Sequence, residues 1–460
     1  MNRFLHNQWI GMLFLFSLLL PLTSYAASYF VTPSGGGNHS GTSSGNPWSL
    51  AEFNGKTNPT GGDTVTFSGT FTGTVVPPKS GISNAARLTL NFAGATLTNA
   101  DPRIQVNHLA YVNILGGSMS AAYDATLINF NPNGGGQSHD VTVGNWSYTG
   151  PANGISYFLN IDHVTNLVVS NCYVDNVSCF LNGSSVLNHD IDITGNFART
   201  STDVTSQDDL IRISDAANIT IEKNKLINRS PASSVNHNDV IQNFTKGGSN
   251  PGSPTNWILR YNWIEMQQRS GSGDNSFLMF QSMGGNPAVK IYGNVFYGSG
   301  TIGNNGICIG RGNGGSYYFY NNTVVRHNDP DNTVRFADSG TVYAQNNVGM
   351  ADPSVGKYAT FLLWTMAIGA SDYNFYYGVY TAGGGPVNAG YAGPHGSVNI
   401  NPMFTNYAGT DFSLSASSPL RGRGNRNIGA EFNTGIKAGS QWPNPTLTPR
   451  NTWDVGAFNQ

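Results

Sequence analysis

One pattern recurs along the middle of the chain: an alternating apolar run, an asparagine, then a second short apolar run. It reads as NLVVSNCYVDN, DIDITGNFART, NITIEKNKLIN, NWILRYNWIEM, AVKIYGNVFYG, YYFYNNTVVRH and TVYAQNNVGM. The marked asparagines are Asn171, Asn196, Asn224, Asn262, Asn294, Asn322 and Asn346, a period of about 29 residues. Within each unit apolar residues alternate with polar ones, the period of a β-strand. No unit holds a long helical stretch, which excludes leucine-rich and helical repeats. The pattern predicts an all-β chain folded as a right-handed parallel β-helix, a solenoid of stacked rungs spaced by about 4.8 Å. Inward residues then form apolar stacks. Asparagines at a tight turn stack too, each amide bonding the next in a ladder. A β-propeller is the competing repeat fold, but its blades need about 40 residues.

The ends depart from the pattern, as solenoid ends must. NPWSLAEFNGK carries Ser49 and Glu52 at capping-box spacing and predicts a short helix or turn over the first rung. GGDTVTFSGTFTG begins the strands. After about Thr360 the repeat fades, and GTDFSLSASSPLRGRG and WDVGAFNQ read as a C-terminal cap that returns along the solenoid. Ahead of all this, the uncharged run WIGMLFLFSLLLPL, with Ser24 and Ala26 following, reads as a signal peptide cut after about Ala26. The expected organisation is a signal peptide over 1–26 and one domain over 27–460. That domain divides into a cap and first rungs (27–100), the main solenoid (101–360) and last rungs with a cap (361–460). Such a chain is secreted or periplasmic, does not span a membrane, and is expected to be a monomer.

Composition narrows the partners. Only 10% of the 460 residues are charged and the net charge is −2, so no basic field invites nucleic acid. The 12% aromatic content argues for a packed fold rather than disorder. Three cysteines are too few for a disulfide framework. Cys172 and Cys179 either pair across neighbouring turns or serve as small apolar core residues. GxSxG and HExxH are both absent, which disfavours a serine esterase or zinc protease.

Chemistry concentrates where QDDLIRIS, HNDVIQNF and DNSFLMFQ align as successive rungs, with NNGICIGR as a fourth. In that register Asp209 lies below Asp239, Asp208 below Asn238 and Arg212 below Gln242. Carboxylates about 5 Å apart repel and need a cation, a shared proton or water between them. Calcium takes such oxygens in flexible geometry, so Asp208, Asp209, Asn238 and Asp239 form a candidate calcium site. The alternative is a set of Asx turns on a wet surface. Abstraction of a proton next to a carboxylate needs a cation at that carboxylate and a base for the proton. Lys246 is the candidate base, His237 a candidate base or proton donor, and Arg212, Arg311 and Gln242 candidate substrate-binding residues.

YFVTPSGGGNHSGTSSGNPWSL, GGDTVTF, DFSLSASSPLRGRG and the final DVGAF resemble secreted β-helix proteins of the pectate lyase-like superfamily over nearly the whole mature chain. That superfamily holds lyases, hydrolases, epimerases and non-catalytic adhesins. QDDLIRISDAANITIEKN is similar to the calcium-binding rung of pectate lyases, which places Asp209 at a calcium-ligand position; Gln207, Asn238 and Gln242 stand where that family carries acids. Asp239 and Lys246 match the spacing of the chondroitinase B and alginate lyase family, with Ile241 replacing its second carboxylate. SQDDLIRIS also looks like the paired-acid motif of polygalacturonases, although that family's earlier Asp and its Arg-x-Lys are missing. The resemblance implies a lyase acting on an acidic polysaccharide with calcium. The alternatives are a glycoside hydrolase using Asp208, Asp209 and Asp239, and a non-catalytic protein that binds glycan along the solenoid.

Overall fold

A computed structural model describes residues 26–459 except 99, 121–124, 131–135, 152–155, 186, 203–208, 215, 230–237, 245–255, 268–275, 282–286, 300–306, 312–313, 327–333, 337–339, 352–360, 365–366 and 379–391. A full rung contributes three strands, as in Ala217–Glu222, Lys225–Asn228 and Ile241–Phe244. The first strand of each rung pairs in parallel with the first strand of the next, the second with the second and the third with the third. These stacks make three faces, here A, B and C. Faces A and B run together as one 25-stranded sheet, and face C is a separate 10-stranded sheet. The chain is a parallel β-solenoid. Its strands begin earlier than the sequence suggests: Ser28–Thr32 already pairs in parallel with Thr64–Phe71.

Alternation explains the core. On face A the inward column runs Ile191, Ile219, Trp257, Val289, Tyr317 and Val342, each in register with the next and each fully buried. Cys172 and Cys179 are buried as well, and burial pushes the Cys172 thiol up to about 12. The core reading of these two residues is therefore the one observed.

Faces A and B are continuous because the turn between them is two residues long. Its first residue has positive φ: Gly195, Lys223, Tyr261, Gly293, Asn321, Asn346 and Tyr373 in successive rungs. Its second residue points inward as an asparagine. Asn196, Asn224, Asn262, Asn294, Asn322, Asn347 and Asn374 form an unbroken ladder, all at 0% exposure. Each rung repeats the same bonds: Asn262 Nδ2 donates to Ile221 O at 2.7 Å and to Asn294 Oδ1 at 3.0 Å, while Asn262 Oδ1 accepts from the N–H and Nδ2 of Asn224, both at 3.0 Å. Two of the asparagines singled out in the sequence lie one residue out of frame. Asn171 and Asn346 occupy the positive-φ position, and Cys172 and Asn347 take the inward place.

Near the N-terminus, Leu50–Asn54 is a helix whose Ser49 N-cap and Glu52 form the expected capping box. Phe53 from this helix meets Phe67 of the solenoid edge-on at 5.0 Å. Bonds from the Ser49 N–H, from His39 and from the Ser49 hydroxyl hold the Glu52 carboxyl down at about 2. A depressed carboxylate stabilises above its unfolded pKa and loses that contribution as pH falls through the folded one. Exchange protection of the Ser49 amide is therefore expected to fade between about pH 4.5 and pH 2. Glu52→Gln should remove that acid dependence; hydrogen exchange read by mass spectrometry checks it, and an unchanged profile in the variant would refute the cause.

The C-terminal segment returns along the A–B turn, in the direction opposite to rung growth. Asn425 N–H donates to Asn346 Oδ1 at 2.7 Å, Asn321 Nδ2 to Phe432 O at 3.3 Å, and Trp442 Nε1 to Tyr261 O at 3.2 Å. Further on, Asn444 N–H donates to Lys223 O at 2.9 Å and Asn444 Nδ2 to Asn171 Oδ1 at 3.1 Å. The out-of-frame Asn171 and Asn346 are thus anchors for this strap. At Gly195, φ +66, a Cβ would lie 2.4 Å from Asn444 Oδ1, so a side chain here would push the Asn444 amide aside. Inside the strap, Arg450 is buried and donates to the carbonyls of Thr434, Asp454, Phe458, Gly456 and Ala457.

Candidate functional site

The aligned rungs fall in the register expected from their sequences. Ile211 pairs with Ile241 and Ile241 with Leu278, and Arg212 lies directly below Gln242. The fourth segment departs from it by one residue. Leu278 pairs with Ile307 rather than Cys308, and a bulge at Gly310 brings Gln281 back opposite Arg311. An extra residue of this kind is invisible to an ungapped alignment.

Asp209 and Asp239 do stack, but not toward solvent. Both are fully buried at the corner where face B passes to face C. Asp239 N–H donates to Asp209 Oδ1 at 2.7 Å, and Ser276 N–H donates to Asp239 Oδ1 at 2.6 Å. Each carboxylate thus holds the backbone of the rung above it. Asn238 is 1% exposed, and its carbonyl accepts from Asn228 Nδ2 at 2.8 Å. A calcium site needs six to eight oxygens converging on a reachable point. Asp209 and Asp239 are sealed from solvent, and each gives one oxygen to a backbone amide of the rung above, the role of a structural acceptor. Asp208 lies outside the described residues, as do His237 and Lys246. For Arg311 only the strand position is described.

Arg212 and Gln242 instead face outward on face C, half-buried and 5% exposed respectively. A column of amides leads to them through the preceding rungs. Asn182 Nδ2 donates to Asn160 Oδ1 at 2.8 Å, Asn160 Nδ2 to Asn129 Oδ1 at 2.7 Å, and Asn129 Nδ2 to Gln105 Oε1 at 3.1 Å. Asn182 is in register with Arg212. The result is a straight polar track on one face, with a guanidinium where the track meets the rung of Asp239. Such a track offers hydroxyl and carboxylate partners at the rung spacing.

Face A carries a second polar surface that sequence reading passed over. A trough of about 500 Å3 crosses several rungs and is lined by Arg87, Asp140, Asp190, Asp192, Asn218 and Asn256 among others. His139 bonds Asp140 at 2.7 Å and His189 bonds Asp190 at 2.6 Å, with Asp162 and His163 paired at 2.7 Å in the rung between. Burial alone would raise the Asp140 carboxyl, yet bonds from His139 and Asn84 pull it below the usual range. The recurring dipeptides His139-Asp140, Asp162-His163 and His189-Asp190 were the signal available in the sequence. Several aromatics of these rungs are spent on packing: Trp257 and Tyr317 are core, and Tyr318 stacks on Tyr343 at 5.0 Å.

No known protein family matches the chain, and no curated protein does. Solved structures similar to it include pectate and other polysaccharide lyases. The pectate lyase Pel9A is 15% identical, with a TM-score of 0.48 over 95% of this chain and 97% of that one. A GH136 lacto-N-biosidase from Eubacterium ramulus is 11% identical, with a TM-score of 0.45 over 74% of this chain and 68% of that one. A mannuronic acid specific family 6 polysaccharide lyase from human gut microbiota is 14% identical, with a TM-score of 0.40 over 76% and 86%. No described helix is long and apolar enough to cross a membrane.

Proposed function

We propose that this chain is an exported lyase that cleaves a uronate-containing polysaccharide by β-elimination on face C. The observation that carries the reading is the outward pair Arg212 and Gln242, in register on adjacent rungs at the end of a polar track. Arg212 meets the sugar carboxylate and disperses its charge, which acidifies the proton on the neighbouring carbon. Lys246, which follows the strand Ile241–Phe244 in sequence, takes that proton. The electron pair forms the new carbon–carbon double bond, and the glycosidic carbon–oxygen bond breaks. His237, which precedes the same strand, returns a proton to the leaving oxygen. Gln242 and Arg311 hold sugars on either side. Asp209 and Asp239 keep the rungs in place.

Two rival readings are weaker on the same observations. A hydrolase needs two carboxyl groups flanking the scissile bond. Asp209 and Asp239 are sealed from solvent, so they cannot flank a substrate in this conformation. A protein that only binds glycan accounts for the track but leaves Lys246 and His237 without a role.

The test follows ultraviolet absorbance of the unsaturated uronate while purified protein meets pectate, alginate and chondroitin. A rise is expected with at least one of them. The burial of Asp209 and Asp239 predicts that it survives a chelator. New reducing ends without absorbance would move the assignment to a hydrolase, and neither signal would leave a binding protein. Sequencing the N-terminus of exported protein checks the cut after about Ala26.

A further inference from the structure

The C-terminal strap does more than cover the A–B turn. Where it passes the rung of Lys225 it leaves a cleft of about 240 Å3 against face B. The solenoid side supplies Lys225 and Trp263; the strap side supplies Thr410, Asp411, Gln441 and Trp442. Trp263 is nearly buried and forms the floor. It stacks on Phe412 at 5.7 Å and 10°, and its Nε1 donates to Glu265 Oε2 at 2.8 Å. Trp442 is half-exposed. Its ring is held at 5.3 Å from Trp263 and edge-on to Phe458 at 6.1 Å, with its Nε1 tied to Tyr261 O. A large aromatic surface is therefore fixed in one orientation and left partly wet.

The polar groups around it have opposite signs. Lys225 makes no ion pair with any described residue, and its Nζ sits 5.7 Å over the Trp263 ring. Asp411 spends its Oδ1 on the Ser413 N–H and hydroxyl. Gln441 and Thr410 are exposed at the rim. An ammonium that donates, a carboxylate that accepts and an amide that does both suit neighbouring hydroxyl groups. The flat, weakly polar C–H face of a sugar ring suits an aromatic surface. A purely apolar ligand would leave the two charges desolvated, and a bare anion would meet Asp411.

We infer that this cleft is a glycan-binding subsite that holds one pyranose unit of a polysaccharide, with Trp442 under the ring and Lys225, Asp411 and Gln441 on its hydroxyls. The inference rests on the proposal that the partner is a polysaccharide, and it does not need cleavage. Lys225 and Gln242 belong to one rung, Lys225 on face B and Gln242 on face C. The subsite therefore grips the polymer on the same turn of the solenoid as the proposed cleavage site. The site exists only where strap and solenoid meet, so neither segment shows it alone.

The experiment is affinity electrophoresis of the full chain through gels containing pectate, alginate, chondroitin or galactan, run beside the absorbance assay on short oligosaccharides. Wild-type protein is expected to be retarded by at least one polymer. Trp442→Ala should weaken that retardation about tenfold or more, while Trp442→Phe keeps most of it. Because Trp442→Ala also removes packing, Lys225→Ala provides the second variant: it leaves the strap intact and should weaken retardation severalfold with an unchanged melting temperature. Retardation equal to wild type in both alanine variants, or none in wild type with any polymer, overturns the subsite. Loss of retardation in the variants with flat absorbance throughout would leave the subsite standing and sink the lyase. A rise in absorbance with retardation unaffected would do the reverse.

Discussion

Lys246→Ala is expected to slow uronate elimination by about 10²–10⁴-fold, the usual contribution of a positioned general base. The expectation rests on proton bookkeeping. The proton beside a carboxylate leaves only if a base receives it, and a cation must steady the charge that develops. On face C Arg212 is an outward cation in register with Gln242, and Lys246 follows the strand of Gln242 in sequence. Arg212→Ala should therefore raise KM and lower kcat together, since the same contact binds the carboxylate and stabilises the transition state. Lys246→Arg should be nearly as slow as the alanine variant, because it keeps charge but cannot accept a proton. Lys437→Ala, at an exposed position on the strap, provides the control and should match wild type. Steady-state rates on the responsive polysaccharide decide the matter; a Lys246→Ala enzyme at wild-type speed would remove Lys246 from the mechanism.

Asn262→Ala is expected to cost about 3–6 kcal/mol of stability. Asn262 sits mid-ladder at 0% exposure and makes four side-chain bonds. Alanine leaves the Asn224 N–H and Nδ2 and the Ile221 carbonyl without these partners in a dry interior. Each such loss costs roughly 1–3 kcal/mol. The bonds also join three rungs, so the damage spreads to both neighbours. Asn218→Ala makes the contrast. Asn218 lies on the surface, and its Nδ2 donates to Asp190 Oδ1 at 2.9 Å. Water can replace that partner, so the loss should stay within about 2 kcal/mol, most of it the cost of alanine at the positive φ of this position. Because a stack of rungs need not unfold in one step, urea titration is best paired with hydrogen exchange of the Asn224 and Asn262 amides. Equal midpoints for the two variants would mean that the ladder follows the fold rather than holding it.

The ladder also marks how far sequence reading goes. Alternation shows that residues two apart share a face, and recurrence of asparagine shows where turns fall. Five of the seven asparagines singled out are ladder members. Asn171 and Asn346 missed by one, because the residue just ahead of the inward place carries positive φ, and asparagine suits either position. Where two adjacent asparagines or an Asn-Cys pair occur, sequence alone has no way to choose. The Gly310 bulge is the same kind of miss on face C.

The candidate site divides along a similar line. Register was legible: Asp209 below Asp239 and Arg212 below Gln242 follow from stacking repeats of known period. Burial at the corners was not. Inside a strand, period two labels every residue in or out. At a corner the chain turns, the alternation loses its phase, and packing decides which way a carboxylate faces. Asp209 and Asp239 turned inward, onto the amides of the rungs above. The Trp442 cleft was further from view, since its walls come from distant parts of the chain, as the bond from Trp442 to Tyr261 across 181 residues shows. Strands, repeat, parallel stacking and capping box were all readable along the chain, because each depends on neighbours within one unit or the next. Which polar residues are buried, and what the returning strap encloses, came only with the folded chain, because both depend on where distant segments come to rest.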